Sequence, residues 1–200
     1  LFLLGKPYPS IFYTEKAKQE FKQFGVSSEK LFVANNTIDV SRRVKSYENI
    51  TKDKIIFVGT LDKRKKLDIV IQAFSNIVNK LNPEIKLLII GSGDEEEILR
   101  SQVEQLKLQD RVFFMGAITD AAILKNYYQE SIVSVSYGQA GLSVLQSLGY
   151  GVPIITNVNA ISGGEITNVI DGINGYLCEE SLSSLEECLY KVCSNKQLAK

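Results

Sequence analysis

The chain has 200 residues, 44% of them hydrophobic, and its 23 basic and 23 acidic side chains give a formal net charge of zero. That length and apolar content suffice for one well-cored domain, or one plus a fragment, and the balanced charge argues against a nucleic-acid groove or a strongly basic membrane face. Histidine is absent, which removes the commonest general base, the Ser-His nucleophile and the commonest zinc ligand, so chemistry falls to carboxylates, lysines or the substrate itself.

Leu1-Phe2-Leu3-Leu4 lacks the basic flank and length of a signal peptide, and no apolar run reaches the roughly 18 residues of a membrane-spanning helix. Residues 1–40 then read as one isolated βαβ-like piece: a strand at Ser10-Ile11-Phe12-Tyr13, a helix from Glu15 to Phe24, a turn at Gly25 and a strand from Lys30 to Ala34. The polar stretch of residues 41–50 has weak periodicity and reads as a linker.

Residues 51–200 alternate short β-branched or apolar runs with segments of helical period, which is the signature of βα repeats and a parallel sheet. The runs are Lys54 to Val58, Lys86 to Ile90, Arg111 to Phe114, Ser131 to Val135, Pro153 to Thr156 and Gly175 to Leu177, giving six strands. Leu67, Val70, Ile71, Phe74, Ile77 and Val78 recur at three and four residues, so one helix face packs on the sheet. Asp94-Glu95-Glu96-Glu97 suits the positive end of a helix, and further helices start near Ala121, Leu142 and Ser183. The expected fold is a Rossmann-like, doubly wound α/β sheet. Cys178, Cys188 and Cys193 are few and odd in number, which points to a reducing, cytoplasmic compartment rather than a disulfide framework.

Ligands of open parallel sheets sit beyond the C-terminal strand ends, where loops and helix starts present free amides. Gly59-Thr60-Leu61-Asp62-Lys63-Arg64-Lys65-Lys66 places a dense cationic cluster at a helix start, an unfavourable position unless an anion binds there. Gly91-Ser92-Gly93 is by itself a tight turn, because Glu96 stands where a dinucleotide fingerprint needs its third glycine. In Ser136-Tyr137-Gly138-Gln139-Ala140-Gly141-Leu142-Ser143, two glycines three apart allow close backbone approach, and the helix start can take a phosphate oxygen or simply require small residues for packing. Ser162-Gly163-Gly164-Glu165 reads as a flexible loop with one carboxylate.

Together these pieces resemble the group 1 family of retaining GT-B glycosyltransferases over roughly residues 30 to 195. The resemblance rests on Ile55 to Lys65, Gln72-Ala73-Phe74, Leu88 to Gly93, Val112 to Gly116 and above all Gly141 to Ile155, with Phe32 to Asp39 similar to the Asn-rich turn that closes the family's acceptor domain. It implies that residues 1–40 are a remnant of that N-terminal domain and that residues 51–200 bind a nucleotide sugar. It further implies that Gly59, Thr60, Arg64, Lys65, Gly141, Leu142 and Ser143 surround the donor diphosphate, and that Met115 and Gly116 lie at the base. Thr60 stands where the family has a basic residue, and the family's paired glutamates fall on Gly138 and Gln146. Gln146 keeps an acceptor oxygen, whereas Gly138 removes a sugar-orienting group that Gln139, or Glu165 from the facing loop, would have to replace.

The implied activity is transfer of a sugar from a nucleoside-diphosphate sugar to an acceptor hydroxyl with retention, needing no metal and no cofactor. The implied acceptor is a saccharide or lipid-linked sugar, with peripheral association at the inner membrane face. A non-catalytic nucleotide- or sugar-binding module is the alternative. A dinucleotide oxidoreductase, an epimerase and a phosphorylase fit less well, for want of the glycine fingerprint, a histidine or a pyridoxal-lysine motif. The fragment alone is expected not to turn over.

Overall fold

The computed structural model describes residues 8–39 and 51–195. The linker reading of residues 41–50 lies outside them. In the first stretch, β1 (Ser10–Phe12), α1 (Glu15–Lys22) and β2 (Leu31–Val33) form a βαβ unit whose two strands are parallel, Ile11 opposite Phe32. Thr14 caps α1 by accepting from the Ala17 amide at 3.2 Å, and Phe12 packs against Phe21 in a tilted arrangement with ring centroids 4.9 Å apart. The helix stops two residues short of the expected Phe24 because the chain turns back at Gly25, whose φ is +80°.

The second stretch builds one six-stranded sheet from β3 (Lys54–Val58), β4 (Lys86–Ile90), β5 (Val112–Gly116), β6 (Ser131–Val135), β7 (Ile154–Asn157) and β8 (Gly175–Cys178). Every pairing is parallel and the order is β5-β4-β3-β6-β7-β8, so the chain reverses direction across the sheet between β3 and β6. Helices α2 (Leu67–Ile77), α3 (Glu96–Gln105), α4 (Ala121–Gln129), α5 (Leu142–Gly149) and α6 (Leu182–Cys193) connect or follow the strands.

Alternation along the strands decides which helix covers which face. Ile55, Phe57, Leu87 and Ile89 share a core with Val70 and Phe74 of α2, Leu99 and Val103 of α3 and Leu185 and Leu189 of α6. Ile56 and Ile90 point the other way, to Leu124 and Tyr128 of α4, where Tyr128 stacks on Tyr150 at 4.6 Å. Arg111 stands outside its expected strand, since its guanidinium donates to the carbonyls of Ile85 and Asn82 at 3.0 and 3.1 Å. The three cysteines are free thiols, and burial pushes Cys193 up to about 12. No helix among the described residues is long and apolar enough to cross a membrane.

Candidate functional site at the C-terminal sheet edge

The loops that follow β5, β4, β3, β6 and β7 are stitched into one edge by backbone hydrogen bonds. Gly91 N–H donates to Gly116 O at 2.8 Å, Gly59 to Ile90 O and Leu61 to Ser92 O at 3.0 Å each, Gly138 to Lys65 O at 3.1 Å, Ile161 to Gly138 O at 3.0 Å and Ala140 to Ile161 O at 2.8 Å. The stretches around Lys65, Met115 and Leu142 thus share the sheet's C-terminal edge, on either side of the point where the strand order reverses. Open α/β sheets bind ligands there because helix starts on the two sides diverge and leave a crevice.

Glycines at two places make the stitching possible. A Cβ on Gly91 would lie 1.8 Å from Gly59 O, and one on Gly138 would lie 2.2 Å from Arg64 O and 2.9 Å from Lys65 C. Gly93 is similarly pressed against Leu61, so the Gly91-Ser92-Gly93 turn packs on the 59–61 loop. Position 138 has no room for any side chain while residues 64–66 run past it.

The cationic cluster is a single 3-10 turn, Lys63–Lys65, rather than the first turn of α2. Asp62 caps it, accepting from the Arg64 amide at 2.9 Å and from the guanidinium at 3.0 Å, and that side-chain bond is the main reason its carboxyl sits below its ordinary value. Lys66 follows in the left-handed region at φ +51°, a conformation that costs a residue with a Cβ roughly 1 kcal/mol, and pairs with Glu180. Lys65 has no ion pair among the described residues. Burial pushes its ammonium pKa down, the charge of Asp62 opposes that and Arg64 adds to it. A half-buried cation in this state gains from any anion that reaches it.

Across the reversal, α5 opens without a side-chain cap, as α2 and α3 also do, whereas α1, α4 and α6 are capped by Thr14, Asp120 and Ser181. Its amides at Leu142 and Ser143 therefore face outward with the positive end of the helix dipole behind them. Nothing lies within 4 Å of a Cβ built on Gly141, and Leu142 is exposed. The Ser143 hydroxyl pairs with Ser136 Oγ at 2.8 Å, which itself donates to Gln139 O at 2.7 Å. Gln139 Oε1 is buried with no partner among the described residues. Gln146 lies on the second turn of α5, Thr60 is exposed, and Met115 and Gly116 end β5, Gly116 with φ +70° and open space around it.

Glu165 is not on a loose loop. It starts a 3-10 turn, Glu165–Asn168, and is buried at 7% relative exposure. Its Oε1 accepts from Asn36 Nδ2 at 2.8 Å and its Oε2 from Ser162 Oγ at 3.2 Å. Burial alone would raise its pKa, but the Asn36 bond, its own and Gly163's backbone N–H groups and Ser162 together hold it below the ordinary value.

Other supports escaped the sequence reading. Thr156 and Asn157, buried at the end of β7, donate to the carbonyls of Ser136 and Tyr137 and so fix the loop that carries Gly138, Thr156 doing so at 2.8 Å. The available signal was two polar residues closing an otherwise apolar strand. Asn36 lay in the Asn-rich turn and Lys66 in the cationic run with nothing to indicate their partners, and Glu180 had no signal. Among the described residues no cluster of three or more His, Cys, Asp or Glu is placed to hold a metal ion.

An all-parallel sheet in this order, with an uncapped helix start and a lysine that makes no ion pair among the described residues at its C-terminal edge, defines a Rossmann-like domain. The chain belongs to the family described as glycosyl transferases group 1, whose model matches residues 41–200. It is 32% identical over 174 residues to a poly(glycerol-phosphate) alpha-glucosyltransferase of Bacillus subtilis, covering 84% of this chain and 25% of that protein. The fold matches a mutant of S. aureus TarM in complex with fondaparinux, alpha-GlcNAc-glycerol and UDP, with a TM-score of 0.79, 20% identity, and coverage of 96% of this chain and 38% of the other. It also matches Anabaena HepE in complex with UDP and glucose, with a TM-score of 0.74, 19% identity, and coverage of 96% and 55%. The fold is therefore the GT-B type of Rossmann-like domain, and the chain spans a quarter to about half of these proteins.

Proposed function

We propose that this chain is the donor-binding part of a retaining hexosyltransferase, which moves a sugar from a nucleoside-diphosphate donor to an acceptor hydroxyl in polysaccharide or glycolipid synthesis. One observation carries the reading: Lys65, half-buried and without a carboxylate partner, shares a backbone-bonded edge with the uncapped start of α5. Lys65, assisted by Arg64 and the backbone at Gly59 and Thr60, meets the diphosphate together with the amides around Gly141, Leu142 and Ser143. Met115 and Gly116 lie at the base, and Gln139, Gln146 and Glu165 serve the ribose and sugar. As the bond from anomeric carbon to phosphate oxygen breaks, the electron pair leaves with the diphosphate, where fixed cations and dipoles stabilise it. The attacking hydroxyl passes its proton to a departing phosphate oxygen, so neither a histidine nor a resident cofactor is required.

Residues 8–39 are, in this reading, the end of a preceding acceptor-binding domain. Ile11 and Phe32, paired across the two strands, are 70% and 52% exposed on the face away from α1, and a parallel sheet of two strands needs a second layer there. The free thiols fit a cytoplasmic protein, and a lipid-linked acceptor would bring the whole protein to the inner membrane face. Calorimetry with UDP, ADP, GDP and NAD tests the donor site. At least one nucleoside diphosphate is expected to bind while NAD does not, and failure of all three diphosphates would sink the reading.

Gly138 favours a second reading, a member that binds nucleotide without transferring sugar. The backbone of residues 64–66 fills the space where a carboxylate side chain at 138 would begin, and loss of an orienting group is how large rate factors disappear. A product assay on the full chain separates the two: sugar transfer rules out the silent binder.

A further inference from the structure

Glu180 stands in the short loop between β8 and α6 and bonds to the loops that follow two other strands. One of its carboxylate oxygens pairs with the Lys66 ammonium, after β3, and the other accepts from Asn159 Nδ2, after β7, at 3.3 Å. We infer that Glu180 is a positioning residue for the diphosphate site: by tethering the Lys66 side chain it holds the peptide between Lys65 and Lys66 in the orientation that sets Lys65, without touching the donor itself. The ligand rests on the donor reading above; the tether rests on the geometry of the three loops.

The backbone shows what has to be held. The 3-10 turn Lys63–Lys65 is closed by the Lys66 N–H, which donates to Lys63 O at 3.1 Å, and Lys66 itself is left-handed at φ +51°, where a Cβ crowds the chain. Gly138 N–H donates to Lys65 O at 3.1 Å, and that carbonyl shares one rigid peptide plane with the Lys66 nitrogen. Were Lys66 to relax into the right-handed region, the plane would turn, Gly138 would lose its acceptor and Lys65 would shift. The Lys65 side chain now runs past the end of β3, its Cε 3.8 Å from a Cβ built on Gly59. The Lys66 stem passes over Gly138, its Cγ 2.8 Å from a Cβ built there, before its ammonium meets Glu180. Asn159 is anchored in turn, its N–H donating to Asn157 Oδ1 at 2.8 Å, so the carboxylate is also held from the β7 side.

Charge points the same way. An anion at an edge that takes a diphosphate opposes the ligand by Coulomb repulsion, and an exposed ion pair adds little to stability. Glu180 is exposed, and the bond from Lys66 first, then that from Asn159, hold its carboxyl below the ordinary value. It is therefore ionised and engaged at neutral pH. What the pair supplies is a tether for a residue whose backbone is strained.

The test is a double-variant cycle on the full chain. It uses calorimetry with whichever of UDP, ADP and GDP binds the wild type, beside hydrogen exchange at the Gly138 amide. Glu180→Ala should weaken the nucleotide about threefold or more and leave the unfolding midpoint nearly unchanged. Lys66→Gly, which takes the left-handed region without a tether, should bind within about twofold of wild type, and Glu180→Ala should add nothing in that background. Protection of the Gly138 amide should fall in Glu180→Ala and return in the double variant. Unchanged or tighter nucleotide binding in Glu180→Ala, or an equal loss in both backgrounds, overturns the inference and leaves the donor site standing. If no diphosphate binds the wild type, the donor reading fails, and the Gly138 amide alone then upholds the tether by that pattern or overturns it by staying unchanged.

Discussion

Residues 51–195 and residues 8–39 obey the same βα grammar but differ in what they bury. The first stretch closes on itself: Ile55, Ile56, Leu87 and Ile89 are covered on both faces of the sheet. The second buries only Leu31 among its apolar side chains, bares Ile11 and Phe32, and is tied to the rest through Asn36–Glu165 and Thr14–Gly164. The difference teaches that local pattern is enough to form an element, whereas stability comes from a second layer. It also separates two kinds of surface, a cationic edge inside the self-sufficient part and the buried Glu165 carboxylate where the two parts meet.

The largest expected effect lies in the closed core. Leu87→Ala should cost about 2–5 kcal/mol by denaturant unfolding, while Phe32→Ala on the bare face should stay within about 0.5 kcal/mol. Equal costs would mean that the short unit is packed as tightly as the sheet. Gly138→Glu comes next. Its Cβ forces residues 64–66 aside, so stability should fall by about 1–3 kcal/mol and diphosphate affinity should fall with it. A variant that gained transfer without losing stability would refute the steric account. Lys65→Ala should weaken a nucleoside diphosphate roughly 10- to 100-fold in calorimetry and leave the unfolding midpoint nearly unchanged, because Lys65 makes no ion pair and the favourable charge of Asp62 is offset by burial and by Arg64.

A smaller effect is pH-dependent. Glu165 is held below its ordinary pKa, so the Asn36 bond contributes fully above the usual carboxylate range and is lost as pH falls through the folded-state pKa. Amide protection factors in residues 8–39 should fall on acidification before those of β3 and β4 do. In Glu165→Gln the pH step should vanish. Lys66→Gly is the smallest change, stabilising by up to about 1 kcal/mol through relief of the left-handed backbone and offset in part by loss of the exposed Glu180 pair.

Much of the sheet was legible because β-branched runs and a helical apolar period are local signals, and all six strands fall within two residues of where the pattern puts them. The loop that carries Lys65 and the helix start at Leu142 were legible as strand-end features as well, since each is contiguous in sequence. The contact between Asn36 and Glu165 was not. Asn36 and Glu165 are 129 residues apart, and neither has a sequence environment that announces the other. The closure of position 138 was equally hidden, because what fills it is the backbone of residues 64–66 rather than any side chain. Thr156 and Asn157 fell between these cases, visible as polar residues ending an apolar strand but silent about the carbonyls they hold.

The central claim is that a nucleoside diphosphate lies against Lys65 and the start of α5. Titrating UDP into the isotope-labelled chain and following backbone amide shifts tests it most directly. The account predicts the largest saturable changes at Lys65, Gly141, Leu142 and Ser143. Saturable changes confined to other surfaces, with these four amides still, would contradict it.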